Sequence, residues 1–411
     1  MTGVQTCALP ISWQDLLYHH SWKSYTTNGG SIRNATEPMC VTQCMLPHHF
    51  TVDQTYLLYM NSIYRSMKVV SVKDKGLVSV KEVTAPKLIK DGDILINMQA
   101  CGVCGSDLEK VYGQYGMSSA KLGHEPSGEV LNIGKSVKDL NVGDRVFIHH
   151  HVACYSCYFC RHGDYTMCDM YQKSNISPCG LSEQILVPEW NVSHGGVIKL
   201  PDTITFEEAS LIEPLACCIR ALNKCNFQKG DDIAVLGAGP AGMMLVKLAK
   251  AFGAGKIIVL DINEFRMNFV KRYGDIHTFN SMTEKDLTRK IKGLTGYRGV
   301  DLSIVATGST KALIQSFEIT RKAGKIMLFG VPSRGSEISM DMNKIYSSEM
   351  SLLSCYAASE IETNQALKLI REKRIDVKPL ITHRFSIQMA DEAIRCAHEA
   401  KDAMKVIVTS L

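Results

Sequence analysis

Four cysteines stand within fifteen residues as Cys154-x2-Cys157-x2-Cys160-x7-Cys168. Thiolates this close suit a tetrahedral ion, and four of them close its shell with no position left for water. The spacing predicts a structural zinc. An iron–sulfur cluster and a disulfide framework are the competing uses of the same thiols. Cys101 and Cys179 fall outside the run and read as ordinary thiols. A second donor set is dispersed: Cys104 in CGVCGSD, His124-Glu125 in GHEPSG and Glu213 in LIEPLAC. A single histidine is more often a core residue, and a single glutamate a solvated one. Together they offer S, N and O donors, and three protein ligands leave a position open for a substrate oxygen, as at a catalytic zinc.

Further along, Asp231–Leu236 reads as a strand, followed by Gly237-Ala238-Gly239-Pro240-Ala241-Gly242 and the helical run MMLVKLAKAF. In this G-x-G-x-x-G spacing Gly237 permits a tight turn, Gly239 lets the backbone approach a pyrophosphate, and Gly242 packs the helix on the strand. The free N–H groups of the helix start face the phosphates. The next strand, KIIVLD, ends in Asp261, 19 residues beyond Gly242. A carboxylate there binds a ribose 2′-OH and repels a 2′-phosphate, so NAD is preferred over NADP. Its competing reading is a strand-end turn residue. Arg266 is a second cofactor-binding candidate, either receiving a phosphate, packing over the adenine or facing solvent.

These groups need a scaffold, and the chain supplies two. Met67 to about Pro214 reads as short strands broken by Gly and Pro, with Gly-Asp turns at 92–93 and 143–144. About Leu215 to Ser347 alternates strands and helices, the pattern of a parallel sheet covered on both faces. Ser348–Leu411 has two helical patterns and a final strand, KVIVTS, and is expected to rejoin the first domain. Residues 1–66 read as an extension, artefactual or disordered. Met1–Ser12 resembles a translated sequencing adapter, and the pairs His19-His20 and His48-His49 read as incidental. The 411 residues are 45% hydrophobic and 21% charged with a net charge of +5, the balance of a globular protein without a concentrated basic face for nucleic acid. No apolar run is long enough to cross a bilayer. Fifteen cysteines, four of them at metal-ligand spacing, point to a reducing compartment, hence the cytoplasm.

In order along the chain, CGVCGSD, GHEPSGEV, GDRV, the four-cysteine lobe, LIEPL, GAGPAG, VLD, ATGS, LFGVP and ITHRF resemble the zinc-containing medium-chain alcohol dehydrogenases, specifically the polyol (sorbitol/L-iditol) branch, from Met67 to Leu411. The resemblance implies an α/β protein: a mostly-β GroES-like catalytic domain joined to a Rossmann doubly wound cofactor domain. It implies two zinc ions per subunit, one catalytic and one structural. Cys104, His124 and Glu125 match catalytic-zinc positions, and Glu213 matches the acid that meets the metal directly or through its water. Ser106 matches the hydroxyl that starts proton removal, and Asp107 an acid orienting the zinc site. Gly330 and Val331 fall where the backbone meets the nicotinamide amide, and Lys405 where a basic residue reaches the pyrophosphate. A homodimer or homotetramer is implied, acting on a small alcohol.

Several positions depart from that branch. Glu109 replaces a relay histidine, Lys110 an aromatic residue, and Cys355-Tyr356 an Arg-Tyr pair in the substrate cleft. His151 matches an active-site histidine of threonine 3-dehydrogenases, and ITHRF is similar to that branch. Of the run His149-His150-His151, one is expected to line the pocket and the others to be structural, since alternate strand residues face opposite ways. Glu109, His151 and Tyr356 are therefore the pocket candidates. The sequence favours hydride transfer from a secondary alcohol of a polyol or sugar-like substrate. L-threonine oxidation and a non-catalytic redox-sensing zinc/NAD protein are the alternatives.

Overall fold

A computed structural model describes residues 66–113 and 119–410. The expected extension, apart from Ser66, and its histidine pairs lie outside the described residues. The chain opens with an antiparallel hairpin, β1 (Ser66–Asp74) and β2 (Leu77–Thr84). It continues through β3 (Ile94–Gly102), β4 (Pro126–Ile133), β5 (Arg145–Ile148), β6 (Gln184–Val187) and β7 (Val197–Lys199). The hairpin alternates apolar and polar residues because one face meets water. Strand β3 is mostly buried on both faces because it carries the pairings that organise this sheet.

The middle of the chain builds β8 (Ile233–Leu236), β9 (Ile257–Asp261), β10 (His277–Asn280), β11 (Val300–Val305), β12 (Thr320–Leu328) and β13 (Ser351–Ser354). All pair in parallel, in the order β10-β9-β8-β11-β12-β13. Counting from β8, that is 3-2-1-4-5-6, the doubly wound dinucleotide-binding order. Strands β8 and β9 are continuous apolar runs because helices cover both faces. The expected return to the first domain at residue 348 is too early, since β13 is the sixth strand of this sheet. Its sequence gives little signal because an edge strand of four residues, mostly exposed, needs no apolar run.

The chain then supplies β14 (Ile381–Ser386) and β15 (Lys405–Thr409), completing the first sheet in the order β14-β15-β3-β4-β5-β7, with β6 also on β3. One continuous apolar cluster joins the two sheets. It runs from Ala100 and Phe147 through Leu215 and Ile219 to Val235, Met327 and Ile370. Its middle is two helices, Ile212–Lys224 and Glu360–Arg371. Between them lies a buried ion pair, Arg220 to Glu362 at 3.5 Å. The other Glu362 oxygen caps its own helix by accepting from Ser359 N (2.8 Å) and Oγ (2.6 Å). Removing one member of a buried pair strands the other. Arg220→Met is therefore expected to lower stability in urea unfolding by about 3 kcal/mol; an unchanged midpoint would show that the pair contributes nothing.

Candidate active site and metal centres

The four-cysteine lobe follows β5. Cys157 caps a one-turn helix that carries Cys160, and Cys168 caps the next. One ligand atom from each of the four lies within 4.8 Å of all the others. Cys154 Sγ is 3.9 Å from Cys160 Sγ, which is 3.6 Å from Cys157 Sγ. A tetrahedron with zinc–sulfur bonds of about 2.3 Å has edges of about 3.8 Å, so the spacing fits that ion. The Ser156 hydroxyl, with backbone N–H groups, lowers the Cys154 thiol to about 5, favouring the thiolate that binds metal.

The dispersed set converges as well. Cys104 ends the β3 crossing and caps the helix Gly105–Tyr112, where its N–H donates to Asp107 Oδ2 at 3.1 Å. His124 and Glu125 lead into β4. Donor atoms of Cys104, His124 and Glu125 lie within 4.8 Å of one another. Asp107 is fully buried. Its Oδ1 accepts from Gly123 N at 2.9 Å and lies 3.5 Å from His124 Nδ1. Burial opposes ionisation of Asp107, but His124, Lys110 and Gly123 outweigh it and hold the carboxyl low. Burial likewise opposes charge on His124, and Asp107 with Cys104 raises it. Ser106 Oγ stands 3.5 Å from His124 Nε2.

Glu125 is fully buried, and its Oε1 has no hydrogen-bond partner among the described residues. Its Oε2 pairs with Lys405 Nζ at 2.5 Å, and Lys405 also donates to Val103 O at 3.0 Å. Gly102 makes room for this pair, since a Cβ there would overlap Glu125 Oε2 and lie 2.8 Å from Lys405 Cε. Burial raises Glu125 despite Lys405. This corrects the expectation for Lys405. Its ammonium is 2% exposed and turned to Glu125, not presented to a pyrophosphate, because β15 lies against β3.

Glu213 comes from the first turn of the helix Ile212–Lys224 and is buried. Its Oε1 accepts from Cys217 Sγ at 3.3 Å, and it stands outside the close trio. Its charge still reaches Glu125, raising that acid. Glu109 is 8% exposed on the helix after Cys104. Tyr356 is 57% exposed just past β13, at the carboxyl end of the parallel sheet and not in the buried trio.

The three histidines divide differently from the expected alternation because β5 ends at Ile148. His149 is fully buried, Nδ1 at 2.6 Å from Glu360, which also accepts from Tyr155 OH. His150 lies nearest the trio, its ring centroid 5.2 Å from that of His124. His151 packs against His150 at a tilt of 46°, ring centroids 4.1 Å apart, and its Nδ1 donates to Ser174 O at 2.5 Å. Burial, with nearby His149, His124 and Lys110, lowers His151 to about 4. His150 was not singled out in the sequence; the triple histidine was its only signal.

The glycine turn sits at the carboxyl end of β8. Gly237 has φ +106°, a left-handed conformation that favours glycine. The guanidinium of Arg266 lies over Gly239, 3.5 Å from where a Cβ would stand. Asp261 is 8% exposed, and its carboxylate accepts from Ala238 N (2.6 Å), Ile262 N (2.7 Å) and Asn263 N (2.8 Å). It therefore fixes the turn as well as facing it. Gly330 follows β12, where a Cβ would stand 2.5 Å from Thr307 N, and Val331 beside it is 52% exposed. These loops line the carboxyl ends of β8, β11 and β12, where ligands bind in such sheets.

The family described as alcohol dehydrogenase GroES-like domain matches residues 90–202, and that described as zinc-binding dehydrogenase matches 240–372. The chain is 31% identical to a sorbitol dehydrogenase of Bacillus subtilis over 354 residues, covering 85% of this chain and 98% of the relative. It is 28% identical to a D-xylulose reductase of Saccharomyces cerevisiae, covering 81% and 95%. Among solved structures, the 2R,3R-butanediol dehydrogenase of Bacillus subtilis matches with a TM-score of 0.74 and 25% identity, covering 84% and 100%. A Cβ on Gly242 would overlap the Gly237 carbonyl oxygen. Gly242→Ala is thus expected to cost about 1–3 kcal/mol and to weaken NADH binding in fluorescence titration; unaltered binding would remove that contact from the cofactor site.

Proposed function

The chain belongs to the zinc-containing medium-chain alcohol dehydrogenase family, and on that premise we propose that it oxidises a secondary hydroxyl of a small polyol or sugar-like alcohol with NAD. The observation that carries this reading is the convergence of Cys104, His124 and Glu125 within 4.8 Å in the unit that also holds the glycine turn. Zinc held by those three supplies Lewis-acid polarisation of an alcohol oxygen, and a nicotinamide on the glycine turn supplies the hydride acceptor. The four-cysteine lobe would hold a second, structural zinc.

This chain's own residues do the rest. Asp107 orients the His124 ring through Nδ1 and ties it to the Gly123 backbone. Lys405 fixes the Glu125 carboxylate from behind. Ser106 Oγ, beside His124, accepts the substrate hydroxyl proton as it passes its own outward, with Glu109 buried on the same helix as the next candidate carrier. Glu213 adds negative charge at the rim of the cluster. Gly330 and Val331 would meet the nicotinamide amide. Closure of the crevice excludes water.

The reading extends to assembly and place. Among the described residues strand β13 is the sheet's edge, with Leu352 51% exposed, and Tyr346 and Met342 nearby are 85% and 68% exposed. Such an edge is a pairing surface for a second copy, so we take the protein to be a homodimer or homotetramer. No described helix is long and apolar enough to cross a membrane. Free thiolates need a reducing compartment, which favours the cytoplasm.

The test is initial rates on sorbitol, L-iditol, xylitol and L-threonine with NAD, together with zinc content and light-scattering mass. Two zinc ions per subunit and faster turnover of a polyol are expected, and Cys104→Ser should abolish turnover while NADH still binds. Faster turnover of L-threonine, or unreduced turnover in Cys104→Ser, would overturn the reading. A carboxylate near a 2′-phosphate repels it by a few kcal/mol at about 5 Å. Asp261→Asn keeps an acceptor for the turn but removes the charge. It should raise the NADP to NAD ratio of kcat/KM by about 10- to 100-fold; a constant ratio would remove Asp261 as the discriminator.

A further inference from the structure

The histidine run places two rings beside the metal trio that the mechanism above does not use. His150 lies between His124, at 5.2 Å, and His151, at 4.1 Å. One nitrogen of His151 is already committed. Its Nδ1 faces the Ser174 carbonyl at 2.5 Å. A carbonyl only accepts, so Nδ1 carries the hydrogen and Nε2 of the neutral ring is left with a lone pair. His150 Nδ1 is buried with no hydrogen-bond partner among the described residues. An orphaned buried N–H is rarer than an orphaned acceptor, so this ring keeps its hydrogen on Nε2. Two adjacent rings thus present opposite polarity, a donor on His150 and an acceptor on His151. Lys110 closes the same corner, its ammonium held by the Lys121 carbonyl at 3.2 Å and by Asp107 at 3.8 Å.

We propose that His150 and His151 form a two-point clamp for a neutral hydroxyl neighbouring the reacting carbon, His150 donating to it and His151 accepting from it. A hydroxyl both donates and accepts, and so satisfies both rings. An ammonium has no lone pair for His150, and a carboxylate has no hydrogen for His151. The clamp therefore selects a diol over a simple alcohol and over an amino alcohol. A site built to hydrogen-bond a hydroxyl discriminates strongly against an analogue that lacks it, because its own polar groups are then left unpaired. The inference rests on the dehydrogenase reading above and deepens it to the substrate's second hydroxyl.

The experiment compares kcat/KM for 2,3-butanediol and 2-butanol, with L-threonine as a third donor, in the full chain and in four variants. The ratio of diol to mono-alcohol is the readout, since partial misfolding lowers both terms alike. His150→Phe and His151→Phe are each expected to lower that ratio about 10-fold or more, mainly through KM for the diol. His150→Gln and His151→Gln, which restore a donor or an acceptor near the lost Nε2, should recover part of it. Ratios unchanged in both phenylalanine variants would overturn the clamp while leaving the dehydrogenase reading intact, whereas L-threonine preferred over the diol by the unaltered protein would overturn the clamp and the polyol reading together. An unaltered protein that binds zinc and NADH but oxidises none of the three, nor sorbitol, L-iditol or xylitol, would overturn both.

Discussion

A carboxylate sealed from water must find a positive partner, and Glu125 finds its own at the far end of the chain. The Lys405 ammonium meets it at 2.5 Å, with Gly102 between them kept free of a side chain. Breaking such a pair costs about 3–5 kcal/mol because one charge is left buried and alone. The pairing makes the catalytic sheet depend on both ends of the described chain. Strand β15 must lie on β3 for Lys405 to arrive, and β3 must end at Gly102 for Cys104 to turn into its helix. The Cys104–His124–Glu125 trio is thus set by strand order more than by any local loop.

The joint between the two sheets is also polar at its centre. Tyr155 in the four-cysteine lobe and His149 after β5 both bond Glu360 at the start of a helix, and Tyr171 OH donates to Ala358 O at 2.8 Å just before it. Arg220 on the neighbouring helix lies 3.5 Å from both Thr166 of the lobe and Glu362. A lobe built round four thiols is therefore a brace between the segment after β5 that carries the histidines and the helix where the chain leaves β13. Metal in the lobe would act on the Cys104–His124–Glu125 site through this brace, since no lobe thiol belongs to that trio.

Legibility in the sequence follows the distance over which each feature is determined. The four cysteines and the glycine turn were readable because fifteen residues and one strand–turn–helix unit contain them whole. The α/β class was readable because a covered parallel strand must be an apolar run, as IAVL and IIVLD are. Cys104, His124 and Glu125 were readable only as an ordered set, since nothing local joins them. The partnership of Lys405 was not readable. A lysine before an apolar strand is ordinarily solvated, and only the pairing of β15 with β3 turns it inward. Strand β13 was missed for the opposite reason: an exposed edge strand does not need the apolar signal by which strands are found. The histidine run misled because alternation presumes a strand, and the strand ends one residue earlier.

Charge in the catalytic corner limits what can bind there. The Cys104 thiolate as a metal ligand, with Asp107, Glu125 and Glu213, amounts to four negative groups, three of them carboxylates 5% exposed or less. Among the described residues Lys405 and Lys110 are the cations in contact with them. That leaves an excess of two negative charges in a space where charge is costly. One divalent cation cancels it. A monovalent ion would not, and a neutral Cys104 would forfeit the sulfur donor. The same accounting bears on the substrate. A corner neutral with its dication has no charge left to attract a carboxylate or to repel an ammonium at long range. Discrimination among donors must then come from hydrogen-bond polarity at short range, which is where the two histidine rings stand.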